Sequence, residues 1–367
     1  MTQNREVKKG LCWVFAVVFA LTVIGVAGLN HEAQAKEYSK VLRFASPLPA
    51  QSFAGKMHQW WAKELEKRTN GRVKTQFFWM ESLVKWKDGL QGVASGIADV
   101  TLVASTYHPS DLPLYMLVDM PYNAVDYYAG ARAVTDTATQ DPGLVAELRR
   151  NNVVHVAPWI SGKFNFCTKK PWDKLADLKG KTFRTYGGAF VEYMEQLGIN
   201  PIFMPYSEIY EALTRGTIDG NGTCVLQLSD ALKHYEATVQ CTDMNAGFVL
   251  GGSGLLMNLK VYDGMPKDIQ KILLQLNYDM GVYWAKSLYE VEGQIAKKWQ
   301  TKYGIKFNKL SPSDEALSEA AGKKAQDDFL KNLESKGLHP RETWDFFRAR
   351  VVKYQKEVKE KGYPWEH

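Results

Sequence analysis

This sequence is poor in the residues that carry enzyme chemistry. Histidine is sparse, with 7 among 367 residues. His58, His108, His155, His234, His339 and His367 each stand alone. No H-E-x-x-H or H-x-H spacing offers a metal site. Ser253, in "GGSGLL", lacks the flanks of a nucleophile elbow. Gly220-Asn221-Gly222 completes neither a dinucleotide fingerprint nor a P-loop. Glu208 and Glu211 share a helical face without a histidine or third carboxylate beside them, so they read as solvated charges. Asp99 and Asp219 flank strands and read as turn caps. No catalytic set, metal or cofactor is therefore expected. A block of one charge is missing as well. The 46 basic residues are interleaved with 40 acidic ones, which excludes a nucleic-acid-binding stripe. The mild positive balance favours small anionic ligands and little else.

Cysteine is scarcer still, at four residues. Cys12 begins an apolar run instead of following it, the wrong place for a lipid-modified terminus. Cys167, Cys224 and Cys241 remain, and an odd number in an exported protein leaves at least one without an internal partner. A helix expected between Cys224 and Cys241 should hold their ends apart, which argues against that pair. Long apolar runs are absent but for one. Arg5, Lys8 and Lys9 precede the run Leu11–Leu29, and Ala33-Gln34-Ala35 follows it as an A-x-A signal. Residues 1–35 read as a signal peptide cleaved after Ala35, which delivers the chain to the periplasm. The run's length leaves an uncleaved anchor as the alternative.

What is present is an ordinary globular composition, 45% apolar, with 11 Trp, 18 Tyr and 16 Phe. The length suits about two domains. From Val41, strand and helix patterns alternate: "VLRFA", a helical face through Met57, Trp61 and Leu65, "VKTQFF", a helix marked by Trp86, Leu90, Val93 and Ile97, then "DVTLVA". Ligands in such sheets bind at the carboxyl ends of the strands, here Ser46, Phe78 to Glu81, and Ser105 to Tyr107. A second set runs through "KFNFCTKK", "KTFRTY", the helix "AFVEYMEQLG", "PIFMP", the helix "SEIYEALTRG" and the strand "TIDG". Trp159 to Gly162 lies between the sets as a crossing point. The chain returns through "AGFVLGGSGLLMN" and enters a helix from Pro266 to about Tyr303, with Gly281 as the place for a bend. Trp344, Phe347, Val351, Tyr354 and Val358 mark a last amphipathic helix packed on the body. The expected fold is α/β, two-lobed, with a cleft and a hinge.

One stretch carries a chemical question. "KGKTFRTYGGAFVEYMEQLG" places Arg184 on a strand that ends at Gly187-Gly188 and reopens as a helix. A guanidinium binds carboxylate or sulfonate through paired hydrogen bonds. Glycines let backbone approach a ligand, and a helix start offers free N–H groups. An arginine paired with a neighbouring acid on the lobe surface would explain the residue equally well.

"DLKGKTFRTYGG" followed by "LGINPIFMPYSEIYEALTRGTIDGNG" resembles the substrate-binding proteins of TRAP-type (tripartite ATP-independent periplasmic) transporters, the DctP-like family. The likeness extends over roughly Val41 to Gly337. It implies a type II-like periplasmic binding protein with a hinge and a long lobe-bridging helix. The implied division is 36–161 with 247–287 as lobe I, 162–246 with 288–340 as lobe II, and 341–367 as the terminal helix. It implies capture of a small organic anion for the small and large membrane permease subunits. Arg184 falls on the family's carboxylate-binding arginine and Tyr206 on a site-lining aromatic. Three departures stand out. Phe164, beside Lys163, occupies the place of a second basic residue. Thr223, in "DGNGTC" after Asn221, replaces an asparagine. Ala104, beside Ser105, replaces an acid. The expected site is Arg184, Tyr206, Thr223, Phe164, Lys163, Tyr107, Trp159, Asn221 and Glu81. One anchor among aromatics points to a monoanion, a carboxylate or a small sulfonate, in place of a dicarboxylate or sialic acid. A ligand module for a sensor kinase and an exported α/β enzyme are the competing readings.

Overall fold

The computed structural model describes residues 38–124, 126–249 and 253–366. The expected signal peptide lies outside them. Along the chain run β1 (Lys40–Ala45), β2 (Val73–Phe78), β3 (Val100–Ala104), β4 (Val153–Pro158), β5 (Gly162–Thr168), β6 (Thr182–Thr185), β7 (Asn200–Phe203), β8 (Gly220–Cys224), β9 (Gln240–Val249), β10 (Ser253–Asn258) and β11 (Lys306–Lys309). They form two sheets, ordered β2-β1-β3-β10-β4 and β11-β9-β5-β8-β6-β7. Each sheet is the floor of one lobe. The chain leaves the first sheet at β4, builds the second, and returns when β10 slots antiparallel between β3 and β4.

Local chemistry sets the elements. Ser52 Oγ accepts the Gly55 N–H and opens the helix Phe53–Arg68. That helix buries Met57, Trp61 and Leu65 on one face, the stripe its 3.6-residue period demands. Asp99 is buried and does more than cap a turn. It accepts the Arg43 N–H at 2.8 Å and forms ion pairs with Arg43 and Lys40, joining β1 to the start of β3. Burial pushes its carboxyl up, but the Arg43 hydrogen bonds and the Lys40 charge outweigh this and leave it below its ordinary value. Asp219 accepts the Thr182 N–H and ties β6 to β8. "TIDG" is the approach to a strand, not the strand. Extended pairing starts at Gly220 and runs to Cys224. The second helix is also shorter than its pattern, Gly89–Ala94 after a tight turn at Trp86–Asp88, and Ile97 lies exposed beyond it.

The helix Lys267–Tyr303 runs 37 residues without a break. Gly281 packs against Pro158 and Ala131 and does not bend it. Leu273, Leu276, Met280, Trp284 and Leu288 join the large core around the first sheet, while Ile295 and Trp299 enter a cluster of the second. One rigid element thus spans both lobes. The last helix, Pro340–Lys361, buries Trp344, Phe347, Val351 and Tyr354 and packs on the helix Tyr127–Gln140. No helix among the described residues is long and apolar enough to cross a membrane.

Cys167 and Cys241 form a disulfide between the paired strands β5 and β9, and Cys224 is free and buried. The helix after Cys224 does not hold the chain ends apart. All three sulfurs lie within 4.8 Å of one another. Burial pushes the Cys224 thiol up to about 12, so it stays protonated at neutral pH.

Candidate functional site

Arg184 is the third residue of β6, in register with Asn221 of the parallel strand β8. Its side chain reaches a cavity between the two sheets and is only 1% exposed. Nε donates to the Met204 carbonyl at 3.1 Å and Nη1 to Thr223 Oγ1 at 2.5 Å. The Tyr206 ring lies 4.9 Å from the guanidinium carbon, a cation–π contact. No carboxylate among the described residues comes within salt-bridge distance of it; its protein partners are the carbonyl, the hydroxyl and the ring. Nη2 makes no hydrogen bond to a described residue. Burial lowers the arginine's pKa, and the phenols of Tyr107, Tyr206 and Tyr186 partly offset this. An arginine remains charged under such a shift. A desolvated cation without a counter-charge is costly, and an anion in the cavity would relieve the cost.

The surroundings hold that guanidinium in one place. Asn221 Oδ1 accepts the Thr223 N–H at 3.2 Å, fixing the threonine that receives Nη1. Tyr206 spends its hydroxyl within its own lobe, accepting the Val225 N–H at 3.2 Å and meeting Ser229 Oγ at 2.8 Å. Only its ring face is offered to Arg184. Gly187 and Gly188 take left-handed backbone, φ 100° and 61°, which L side chains resist. A Cβ on Gly188 would sit 3.0 Å from Met116 of the facing lobe. These glycines serve closure, and neither they nor the helix start behind them lines the cavity.

Hydrogen bonds cross the cleft beside Arg184. Tyr107, after β3, accepts the Tyr206 N–H at 3.1 Å, and Tyr186, after β6, donates to the Asp119 carbonyl at 3.0 Å. The Tyr107 and Phe203 rings meet edge-on at 5.9 Å. These contacts hold the two lobes closed over Arg184.

Of the residues expected from the sequence, Arg184, Tyr206, Thr223, Tyr107 and Trp159 line the cavity. Four others lie off the cavity. Phe164 is fully buried against Tyr186 and Phe190 in the second lobe's core, because β5 turns Phe164 and Phe166 toward the covering helices. Lys163 faces outward and pairs with Asp243 at 3.2 Å. Asn221 stands behind Thr223. Glu81 caps the Trp86 N–H at 3.0 Å and meets Lys85 at 3.7 Å, so it supports a wall without belonging to it. The wall also includes Trp86, Ala104, Thr106, Asp119, Ser161, Tyr186, Val225, Leu228 and Ser253. Several of these carried a readable signal. A strand puts residues i and i+2 on one face, and Tyr186 and Val225, one residue past β6 and β8, continue that alternation from Arg184 and Thr223.

Two α/β lobes close on a buried arginine with no acid partner among the described residues, the geometry of a ligand cleft. The chain belongs to the bacterial extracellular solute-binding protein family 7, DctP, whose profile matches residues 44–332. It is 25% identical over 323 residues to the 2,3-diketo-L-gulonate-binding periplasmic protein YiaO of Escherichia coli, covering 87% of this chain and 94% of that one. A TRAP periplasmic solute-binding protein from Desulfovibrio salexigens superimposes with a TM-score of 0.72 at 26% identity, covering 88% of this chain and 97% of its own. A marine metagenome TRAP solute-binding protein specific for aromatic acids, in complex with 3-hydroxybenzoate, gives a TM-score of 0.79 at 21% identity, over 87% and 99%. Members of this family are extracytoplasmic solute receptors of TRAP transporters, and that is the class to which this chain belongs.

Proposed function

We propose that this receptor captures one small organic monoanion in the periplasm and hands it to the TRAP membrane permease subunits, without catalysing a reaction. The observation that carries this is Arg184, buried at the cleft with no acid partner among the described residues. A monoanion completes its charge. A dicarboxylate would need a second cation, and among the described residues Arg184 alone of the cations lines the cavity. Trp86, Tyr107, Trp159, Tyr186 and Tyr206 surround the anchor with flat apolar surface, which suits an aromatic acid, a short hydroxy- or keto-acid, or a small sulfonate. The 3-hydroxybenzoate complex of the metagenome relative fits the same class. Export follows from the leader expected at residues 1–35. Lobe I is taken as 36–161 with 247–287, lobe II as 162–246 with 288–340, and 341–367 as a helix on the body.

Calorimetry with benzoate, 3-hydroxybenzoate, pyruvate, benzenesulfonate and succinate tests the reading. Monoanions should bind and succinate should not. Succinate as the tightest ligand, or no ligand-linked heat from any of the five, would overturn it. The closing contacts give a second check. Tyr107→Phe and Tyr186→Phe each remove one hydrogen bond made across the cleft. A net bond is worth about 0.5–1.5 kcal/mol, so each variant should weaken binding roughly three- to tenfold. Stopped-flow fluorescence should place the change in the dissociation rate, because these contacts form on closure.

A further inference from the structure

The hinge itself holds a carboxyl group that the binding site does not use. Glu292 lies on the long helix between Leu288, which packs in the first core, and Ile295, which packs in the second. Its Oε2 accepts the Tyr127 hydroxyl, from the first lobe. The Lys163 backbone N–H, where the chain enters the second lobe, bonds to the same carboxyl group. Oε1 is buried without a partner. It fills the space above Gly162, whose φ is 129° and where any Cβ would collide with it. One carboxyl group therefore touches the bridging helix, a first-lobe helix and the crossing strand together.

We propose that Glu292 is a proton-responsive latch on the hinge, favouring the closed conformation when protonated and opposing it when charged. In the closed geometry, burial pushes its pKa up to about 7, against lesser pulls downward from the Tyr127 and Lys163 hydrogen bonds and the Lys163 charge. The charged and titratable groups facing it are Lys163 from β5, Asp243 from β9, Cys224 from β8 and Tyr127 from the adjoining helix. Tyr289, one turn earlier on its own helix, bonds to Asp126. Asp243 reinforces the rise, while Lys163 opposes it and is itself neutralised by Asp243. Opening the hinge parts Tyr127 from Lys163 and admits water, which returns a glutamate toward its ordinary value of about 4.3. The group then binds its proton more tightly in the closed form than in the open one. Lowering pH through 7 favours closure, and raising it makes closure bury a charge. The inference rests on two lobes that close and not on the identity of the ligand.

Single-molecule energy transfer on the ligand-free protein tests it, with dyes on the exposed positions Lys87→Cys and Glu211→Cys, one in each lobe. The closed fraction should fall at least tenfold, relative to the open one, between pH 5.5 and 8.5. In Glu292→Gln, which keeps the shape without the charge, it should be flat. Asp243→Asn should move the midpoint downward, since it removes a like charge and frees Lys163. A closed fraction in the wild type that stays flat at any level would overturn the proposal. So would a Glu292→Gln variant with an unchanged slope, or, should that variant not fold, an Asp243→Asn midpoint that does not move. No ligand is needed, so a wrong substrate class leaves this result readable.

Discussion

Arg184→Met should weaken anion binding more than tenfold while leaving the ligand-free protein as stable as before or slightly more so. The two halves of this result have one cause. Arg184 is 1% exposed, and its partners are a carbonyl, a hydroxyl and a ring. None of them returns a full negative charge. Replacing a buried, poorly compensated ion by an apolar side chain of similar length is often stabilising by about 1–4 kcal/mol. Some of that gain is given back, because the Met204 carbonyl loses its donor. Thr223 Oγ1 keeps a partial outlet toward Asn221 Oδ1, at 3.5 Å. A net change near zero to about +1 kcal/mol follows. Binding loses a charge-assisted pair of hydrogen bonds worth roughly 1.5–3 kcal/mol or more in a desolvated cleft, over tenfold in affinity. Differential scanning calorimetry with and without benzoate reads both halves. The wild type should gain melting temperature with benzoate, and Arg184→Met should gain less. A variant that melts well below the wild type while still binding would make Arg184 a structural residue.

Much of this was legible in the sequence, and the boundary of what was legible has a physical shape. Arg184, Tyr206, Tyr107, Thr223 and Trp159 come together at one cavity, as expected where strand ends in α/β sheets meet and where the family pattern marks the arginine. Tyr186 was missed although it lies two residues from Arg184, where period-two alternation puts both on one face. Phe164 was misplaced for the opposite reason. Its position relative to Arg184 along the chain says nothing about which face of β5 it takes, and the covering helix Ala189–Gln196 claims that face through Phe190. Glu81 and Asn221 stand close to the site yet act one layer back, a distinction made only by tertiary distances. Asp119 belongs to a connection after the regular β-α-β pattern, where no periodicity exists to read. Glu292 could not have been singled out at all. On the sequence it is one charge in a helix rich in charges, and only the crossing of Gly162 beneath it gives it a role.

Removing the disulfide should cost the fold more than any substitution in the cleft. Cys167 and Cys241 are 74 residues apart in sequence, and the segment between them carries β6, β7 and β8, including Arg184 and Thr223. The cross-link restricts that whole segment in the unfolded chain. On the chain-entropy estimate a loop of this length contributes about 4 kcal/mol, a large fraction of the 5–15 kcal/mol that stabilises an ordinary protein. The pair joins adjacent antiparallel strands at a directly opposed position, Cys167 against Cys241, so the native sheet already brings the two residues together. The variant has to be chosen with the third sulfur in mind. A single substitution leaves one thiol next to Cys224, all three sulfurs lying within 4.8 Å, and a substitute cross-link could then form. Cys167→Ala with Cys241→Ala avoids that. Urea unfolding of the double variant should show the midpoint dropping sharply at a nearly unchanged folded-state fluorescence. Reduction of the wild type under mild denaturant should reproduce the loss. Anion affinity of the folded fraction should stay within about threefold of the wild type, since neither cysteine touches the cavity. If the double variant unfolds within 1 kcal/mol of the wild type, β5 and β9 are held by their hydrogen bonds and packing alone, and the bridge adds nothing that the sheet does not already supply.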